Sequence, residues 1–439
     1  MRIKWIVGCI LLAIFFGGSA LAQESQEPLT LEESIKIALE RNLQLHSAME
    51  GVKGSQFREK DAVTNFLPLW TGQYGYTRYN RPVSIGSTGI SGIGGVTETS
   101  RDTFNLGTTV SQPLFTGRFN LANYRLEKLG VDISKMTVET VKRDIILQVR
   151  AGYFNILRAL KLRDVAEQSV KQFEAQLEVA KAFFEVGIVA KNDVLQAEVR
   201  LANARQGLVK AENDLAIAKS LFNTLLRRDI NTSFNVVDIL EYKTFPLPFE
   251  QSLEEALRQR PEIKSTDFVI KQAQESVKMA RSGFFPTLAL AGNYDRVSDE
   301  AWLRGDLASE SWTVQALATV TLWNWGSTAY KVGENKVKVI QAEDSKNQLI
   351  DSIVLEVKQD YLNMVTAEKN IDVAQKAIEQ AEENLRMNEE RYKFQVATAT
   401  DLLDAVTLLA QAKTNYFSAL ADFNIAKAQL ERAMGRMYP

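Results

Sequence analysis

Two carboxylates in the last tenth of the 439-residue chain are the side chains best placed to do chemistry. Asp401 and Asp404 lie three residues apart, so a helix would carry both on one face. Carboxylates held close together attract cations and raise one another's pKa. Aspartate is also common near the start of a helix, where it lies on a solvated face. The residues alone leave both interpretations open, a charged site and an ordinary helix surface.

Most other catalytic chemistry is excluded by residue counts. His46 is the only histidine and Cys9 the only cysteine, so the chain cannot build a Ser-His-Asp triad, a Cys-His nucleophile or a histidine-based metal site. The glycines between residues 81 and 101 lack the Gly-Lys-Ser/Thr ending of a phosphate-binding loop. We predict that this segment is a flexible external loop. The expectation is a protein with no catalysis, no cofactor and no metal.

The N-terminus predicts export. Residues 1–22 combine Arg2 and Lys4 with an apolar run and end in a small-x-small cleavage site, which is typical of a signal peptide. Without those two cations the chain has 50 basic and 54 acidic residues, a net charge of −4 that argues against a nucleic-acid partner. No later segment has 18 consecutive apolar residues, so no transmembrane helix is predicted.

The chain contains two copies of one unit. Residues 29–78 recur 218 residues later, and a second block, QVRAGYFN at 148, recurs 208 residues later as EVKQDYLN at 356. We therefore divide the mature chain into repeat 1 (23–228), a linker or equatorial segment (229–246) and repeat 2 (247–439).

Each repeat is predicted to contain a helix, a strand pair and a long helical hairpin. Apolar residues recur at helical spacing along the hairpins, which indicates coiled-coil packing. Pro261 should break or kink the first helix of repeat 2. The expected helices are 31–63, 120–182, 193–228 and 249–281, and the expected strands are 69–79, 102–114, 287–297 and 311–323.

The strand expected at 311–323 alternates apolar and polar residues over roughly ten positions, like a strand of a membrane β-barrel. A soluble hairpin would alternate in the same way. Aromatic residues favour the membrane, because Trp and Tyr collect at bilayer interfaces. The expected aromatic belt consists of Trp70, Tyr74, Tyr76, Trp312, Trp323 and Trp325.

Four strands cannot close a barrel, and an open sheet edge in hydrocarbon leaves backbone groups without hydrogen bonds. Several chains must therefore combine. Two chains would supply about eight strands and three about twelve, and only the wider barrel leaves a lumen.

Three features together resemble the TolC-like outer-membrane efflux proteins. They are the duplicated helix starts, the Phe-Leu/Phe-Pro segments before the strands, and the turns GIVAKNDVLQA (187–197) and QVATATDLLDA (395–405). The resemblance covers nearly the whole mature chain. It implies a mixed α and β fold: a homotrimer with a twelve-stranded transmembrane β-barrel, four strands per chain, continued by a long periplasmic α-helical coiled-coil tunnel.

The resemblance also implies a location and partners. The expected location is the outer membrane of a Gram-negative cell, in contact with outer-membrane lipid, with the helical part in the periplasm. The implied partners are a periplasmic adaptor (membrane fusion) protein and an inner-membrane transporter. The implied function is the passive exit duct of a tripartite efflux or type I secretion system. An elongated coiled-coil structural or adhesive cell-surface protein is the alternative, although the barrel-type strands argue against it.

Roles for residues at the turns follow from the same resemblance. Asp401 and Asp404 match two aspartates that line the pore constriction, whereas copy one has Gln196 in place of the second. Asp193 and Tyr392 match a contact that closes the tip, so the Tyr392 hydroxyl is expected to partner Asp193, and Asn192 takes a further closure position. The turns that dock the adaptor are expected at Gly187, Ile188, Val189, Gln395, Val396 and Ala397.

Overall fold

The two copies have nearly the same sequence of elements. The computed structural model describes residues 28–84, 99–304 and 308–436. The predicted signal peptide and most of the 81–101 loop lie outside these residues. Copy one comprises α1 (Leu31–Arg41), α2 (Leu43–Thr64), β1 (Leu69–Ser84), β2 (Thr99–Thr116), α3 (Phe119–Glu185) and α4 (Lys191–Leu225). Copy two comprises α5 (Phe249–Gln259), α6 (Pro261–Arg281), a short 3-10 turn (Ser282–Phe284), β3 (Thr287–Ser298), β4 (Ser309–Thr319), α7 (Ser327–Lys393) and α8 (Ala399–Ala433).

The first helix is broken at the same place in both copies. In copy two the break falls before Pro261, as predicted. In copy one the expected single helix over 31–63 is wrong, because the chain becomes extended at Asn42 and restarts as α2. The Asn42 side chain accepts hydrogen bonds from the backbone N–H groups of Gln44 (2.8 Å) and Leu45 (3.1 Å), which caps the new helix. Asn42 in copy one and Pro261 in copy two thus break the first helix at the same position.

The four strands form one antiparallel sheet in the order β1-β2-β3-β4. β4 ends at Thr319, which pairs with Thr287, so the predicted strand to residue 323 is too long. The residue before Thr287 is Pro286, which has no N–H group to continue the ladder. The outer edges of β1 and β4 have no strand partner among the described residues. The sheet therefore ends in two free edges, one from each copy.

The helical hairpins have the same lengths in both copies. α3 and α7 contain 67 residues each and α4 and α8 contain 35 each. At about 1.5 Å per residue the longer helices extend about 100 Å. The predicted helices 120–182 and 193–228 are confirmed to within a few residues.

Left-handed backbone conformations mark the ends of the hairpins and repeat between the copies. Eight of the nine positive φ angles among the described residues occur in pairs 208 residues apart, with Leu303 as the ninth, and one member of each pair is glycine. The pairs are Gly117/Trp325, Arg118/Gly326, Gly187/Gln395 and Arg227/Gly435. The backbone geometry is thus kept in both copies, although each copy uses glycine at different points.

A partly buried charge network joins helices of the two copies. The Arg260 side chain is only 5% exposed and pairs with Glu262 (2.9 Å) and Glu356. Arg432 on α8 pairs with Asp144 on α3 (2.8 Å) and with Glu356 on α7 (2.6 Å). Four helices therefore share one set of opposite charges. The buried charge of Arg260 must stay paired, because removing its carboxylate partners would leave it uncompensated.

Tyr153 on α3 anchors the start of copy one and the linker between the copies. Its side chain is fully buried, and its hydroxyl donates to the carbonyl oxygens of Val237 (2.8 Å) and Leu29 (3.0 Å). Burial raises the pKa of Tyr153 to about 12, so the phenol stays neutral and able to donate at physiological pH.

Replacing Tyr153 with Phe should therefore lower the free energy of unfolding by about 1–3 kcal/mol, since both carbonyls would lose a buried donor. Urea unfolding of the detergent-solubilised protein, followed by circular dichroism, measures this change. Tyr361 is the matched control: it occupies the same position in copy two, is only half-buried, and packs its ring against Phe249. Equal losses for Tyr153→Phe and Tyr361→Phe would contradict the anchoring role.

Candidate constriction at the helical turns

The turns of the two hairpins lie at the same end of the molecule and share a core. The α3–α4 turn spans 186–190 and the α7–α8 turn spans 394–398. Apolar residues from all four helices pack together behind them, among them Leu177, Leu201, Leu385 and Leu402. This packing fixes α4 of copy one beside α8 of copy two, so side chains from different copies meet near the tip.

Both turns close in the same way, although only one contains glycine. Gly187 has φ +75° and Gln395 has φ +60°. In each turn the next N–H group bonds back to a carbonyl five residues earlier, from Ile188 to Phe183 and from Val396 to Arg391 (both 2.8 Å). Gln395 thus adopts a left-handed conformation that costs free energy for a residue with a Cβ atom.

Exposed apolar side chains surround the predicted docking turns. Ile188 and Val396 are largely exposed, and Val189 and Ala397 are half-buried. Phe394, a neighbour that the sequence reasoning missed, is 80% exposed. Exposed apolar residues at a turn are typical of a protein-binding surface, which agrees with the predicted docking position without testing it.

Asp401 lies on the exposed face of α8, as the spacing predicted, but it also caps the helix. Its carboxylate accepts hydrogen bonds from the Thr398 backbone N–H (3.0 Å) and hydroxyl (2.8 Å), and its own N–H donates to the Thr398 hydroxyl (3.2 Å). These bonds hold the pKa of Asp401 below its usual range. Within one chain the pKa of Asp401 is thus lowered, whereas crowding of carboxylates would raise it.

Asp404 is also exposed but is not a free carboxylate. Its Oδ1 atom accepts a hydrogen bond from Arg200 Nη2 at 2.7 Å. One turn closer to the tip, the Thr400 hydroxyl bonds to Gln196 Oε1 at 3.0 Å. Both contacts join α4 of copy one to α8 of copy two. The sequence reasoning missed Arg200, because nothing local in the sequence shows which residues of α4 face α8.

Tyr392 and Asp193 come near one another without a hydrogen bond. Tyr392 is 6% exposed, and its ring packs against Phe183 with 5.7 Å between centroids. Within the described residues its hydroxyl has no hydrogen-bond partner. Burial, and then the charge of Asp193, raise the pKa of Tyr392. The expected partnership of this hydroxyl with Asp193 is therefore wrong for this conformation. Asn192, the further closure residue, is exposed.

The residues of the predicted aromatic belt are all exposed. Trp70 lies on β1 with Tyr74 and Tyr76, and its indole N–H donates to the Thr108 hydroxyl at 2.6 Å. Trp312 lies on β4, whereas Trp323 and Trp325 follow the end of that strand and pack edge to face at 5.8 Å. Their placement in a bilayer interface stays a prediction.

Neither a metal site nor a membrane-crossing helix is found in the part of the chain that the structure describes. Residues 28–84, 99–304 and 308–436 contain no cluster of three or more His, Cys, Asp or Glu side chains arranged to hold a metal ion. Over the same residues no helix is long and apolar enough to cross a membrane.

The fold, with its long duplicated helical hairpins and small sheet, is shared with solved outer-membrane channels. The CmeC outer membrane channel of Campylobacter jejuni superimposes with a TM-score of 0.78 and 18% identity, over 99% of this chain and 94% of that chain. The sequence model of the family described as "Outer membrane efflux protein" matches residues 34–226 and 252–436. The chain belongs to this family, which confirms the TolC-like resemblance and the outer-membrane location.

Curated relatives agree over most of the length. "Outer membrane protein TolC" of Escherichia coli strain K12 is 22% identical over 345 residues, 75% of this chain and 70% of the relative. "Outer membrane efflux protein BepC" of Brucella suis biovar 1 is 21% identical over 428 residues, 97% of this chain and 89% of the relative.

The strained turn in copy two leads to a stability prediction. Gln395→Gly should raise the free energy of unfolding by about 0.5–1 kcal/mol, because the penalty of roughly 1–2 kcal/mol for a Cβ atom at this positive φ exceeds the entropic cost of glycine. Gly187→Gln, the reverse change in copy one, should lower it by a similar amount, since a Cβ atom at Gly187 would contact no other atom within 4 Å and only the backbone strain remains. Chemical unfolding of both variants checks the pair. A loss of stability in Gln395→Gly would show that this side chain has a compensating role.

Proposed function

We propose that this protein is the outer-membrane exit duct of a tripartite efflux or type I secretion system, a passive conduit gated at its periplasmic tip by rings of aspartates. The observation that carries the proposal is the position of Asp401 and Asp404, exposed on α8 directly beside the turn, in a chain of the outer membrane efflux family. Cargo would pass without covalent change, which suits a chain whose single histidine and single cysteine exclude most catalytic sites.

A homotrimer is the assembly that this duct requires. The free edges of the sheet belong to β1 of copy one and β4 of copy two, so a head-to-tail ring of chains would pair each edge with its neighbour. Three chains would give a barrel of about twelve strands, wide enough for a lumen. The outer surface of that barrel would contact outer-membrane lipid.

The helices support the same ring. Large apolar side chains remain exposed along one face of α4 and along one face of α7 at helical spacing. On α4 they are Leu195, Val199, Val209, Ile217 and Leu221, and on α7 they are Val337, Ile340, Leu355, Leu362, Val373 and Met387. One stripe lies in each copy, as with the strand edges. Packing α4 of one chain against α7 of the next would bury both and close a helical tunnel.

The partners of the duct are a periplasmic adaptor protein and an inner-membrane transporter. The exposed Phe394 and Val396 on one turn and Ile188 on the other offer apolar contacts to an adaptor. An outer-membrane duct has no energy source of its own, so transport energy would come from the inner-membrane partner.

The oligomer has a direct test. The detergent-solubilised protein should migrate as a trimer in SDS gels until it is boiled, because a closed barrel leaves no free edge to unfold from. Val373→Asp, which places a charge in the apolar stripe of α7, should weaken that trimer. Gln375→Asp, at an exposed position on another face of the same helix, is the control. A chain that runs as a monomer without boiling would favour the alternative, a coiled-coil structural or adhesive surface protein.

The gate has its own test. Replacing both Asp401 and Asp404 with Ala should raise single-channel conductance in planar bilayers and lower the K⁺/Cl⁻ permeability ratio about two- to fivefold, since carboxylates near the path attract cations. Asp372→Ala combined with Glu379→Ala removes the same charge from exposed positions on α7 away from the turn. Unchanged conductance and selectivity in the Asp401/Asp404 variant would exclude this gate.

A further inference from the structure

An ion pair near the tip links the two copies and involves one of the gate residues. Arg200 Nη2 lies 2.7 Å from Asp404 Oδ1, with Arg200 on α4 and Asp404 on α8. Gln196 and Thr400 make a second contact four residues earlier on each helix. Both members of the ion pair are about half exposed, at 41% and 53%, so the pair lies at the surface where solvent and ions reach it.

The pair occurs once per chain and not twice, because the copies differ there. The residue of copy one that corresponds to Asp404 is Gln196, and the residue of copy two that corresponds to Arg200 is Leu408. The reciprocal contact therefore cannot form an ion pair. Within the described residues, Asp404 is the one carboxylate with which Arg200 forms an ion pair.

The two gate aspartates consequently differ in how their charge is balanced. Asp401 is hydrogen-bonded to Thr398, whose groups are neutral, and Arg391 attracts it only at longer range without an ion pair, so its negative charge remains. Asp404 faces the guanidinium of Arg200, which cancels its charge at close range. Asp401, Asp404 and Arg200 together then carry a net charge of about −1 per chain, where the two aspartates alone would carry about −2.

We propose that Arg200 is a selectivity-determining residue of the constriction: by pairing with Asp404 it keeps the cation preference of the pore moderate. This inference rests on the proposed function, because it requires that Asp401 and Asp404 line the permeation path. Arg200 affects the permeating ions in two ways, by pairing with Asp404 and by its own positive charge.

The test uses the full-length protein in planar bilayers, with the reversal potential measured across a KCl gradient. Arg200→Gln should raise the K⁺/Cl⁻ permeability ratio about two- to fivefold near 0.1 M salt, because a unit charge within a few ångströms of the ion path changes the ion's energy by an amount of the order of RT. The change should become smaller near 1 M KCl, where the screening length falls to about 3 Å. A purely structural effect would not follow salt in this way.

Arg205→Gln is the matched control. Arg205 lies on the same helix and pairs with Glu174 on α3 at 2.8 Å, entirely within copy one. The same charge is lost, but Asp404 keeps its partner, so the permeability ratio should stay at the wild-type value. A shift of the same size in both variants would overturn the proposal.

A charge exchange tests the pairing itself. Asp404→Arg alone should shift selectivity toward anions, and adding Arg200→Glu should return the ratio toward that of the wild type. Failure of the second change to restore it would also overturn the role of the pair.

The outcomes separate this inference from the gate. If the Asp401/Asp404 double alanine variant changes selectivity while Arg200→Gln does not, the gate stands and the role of Arg200 is wrong. If the double alanine variant leaves selectivity unchanged, the gate is wrong, and the role of Arg200 fails with it. Trimer migration in SDS gels confirms for each variant that the protein is assembled.

Discussion

Over the part of the chain that the structure describes, a single chain leaves backbone groups at its sheet edges without strand partners and apolar side chains on its helices exposed to solvent. The sheet ends in two edges whose backbone groups have no strand partner among the described residues. α4 and α7 each expose a long apolar stripe. In both cases one unsatisfied surface belongs to copy one and the other to copy two. The head-to-tail ring proposed above would cover the strand edges and the helix stripes with a single symmetry operation.

Duplication has preserved geometry more strictly than chemistry. Helix lengths and left-handed backbone positions agree between the copies, even where glycine occurs in only one of them. The chemistry differs at the turns. Thr398 caps α8 through its side chain, whereas Ala190 at the same place in copy one cannot, and the ion pair of Arg200 with Asp404 has no counterpart. Where α4 and α8 meet, copy two therefore supplies Asp401 and Asp404, and copy one supplies the guanidinium of Arg200 that pairs with Asp404.

Much of the fold could be predicted from local pattern. The long helices and the break at Pro261 were predicted because periodicity and proline act over a few residues. The break at Asn42 was missed, since asparagine caps a helix only when the chain turns there. The end of β4 at Thr319 was missed, because it depends on the pairing with β3. Thr319 lies opposite Thr287, and the residue before Thr287 is Pro286, which cannot continue the ladder.

The sequence by itself determined the repeats, the helical and strand periods, the family resemblance and the spacing that puts Asp401 and Asp404 on one face. These properties depend on residues near one another in the chain. Only the tertiary structure decided what those aspartates contact. Asp404 meets Arg200 because Leu201 and Leu402 pack in one core and set the relative position of α4 and α8. That position results from the packing of two helices separated by more than 170 residues, and no local pattern encodes it.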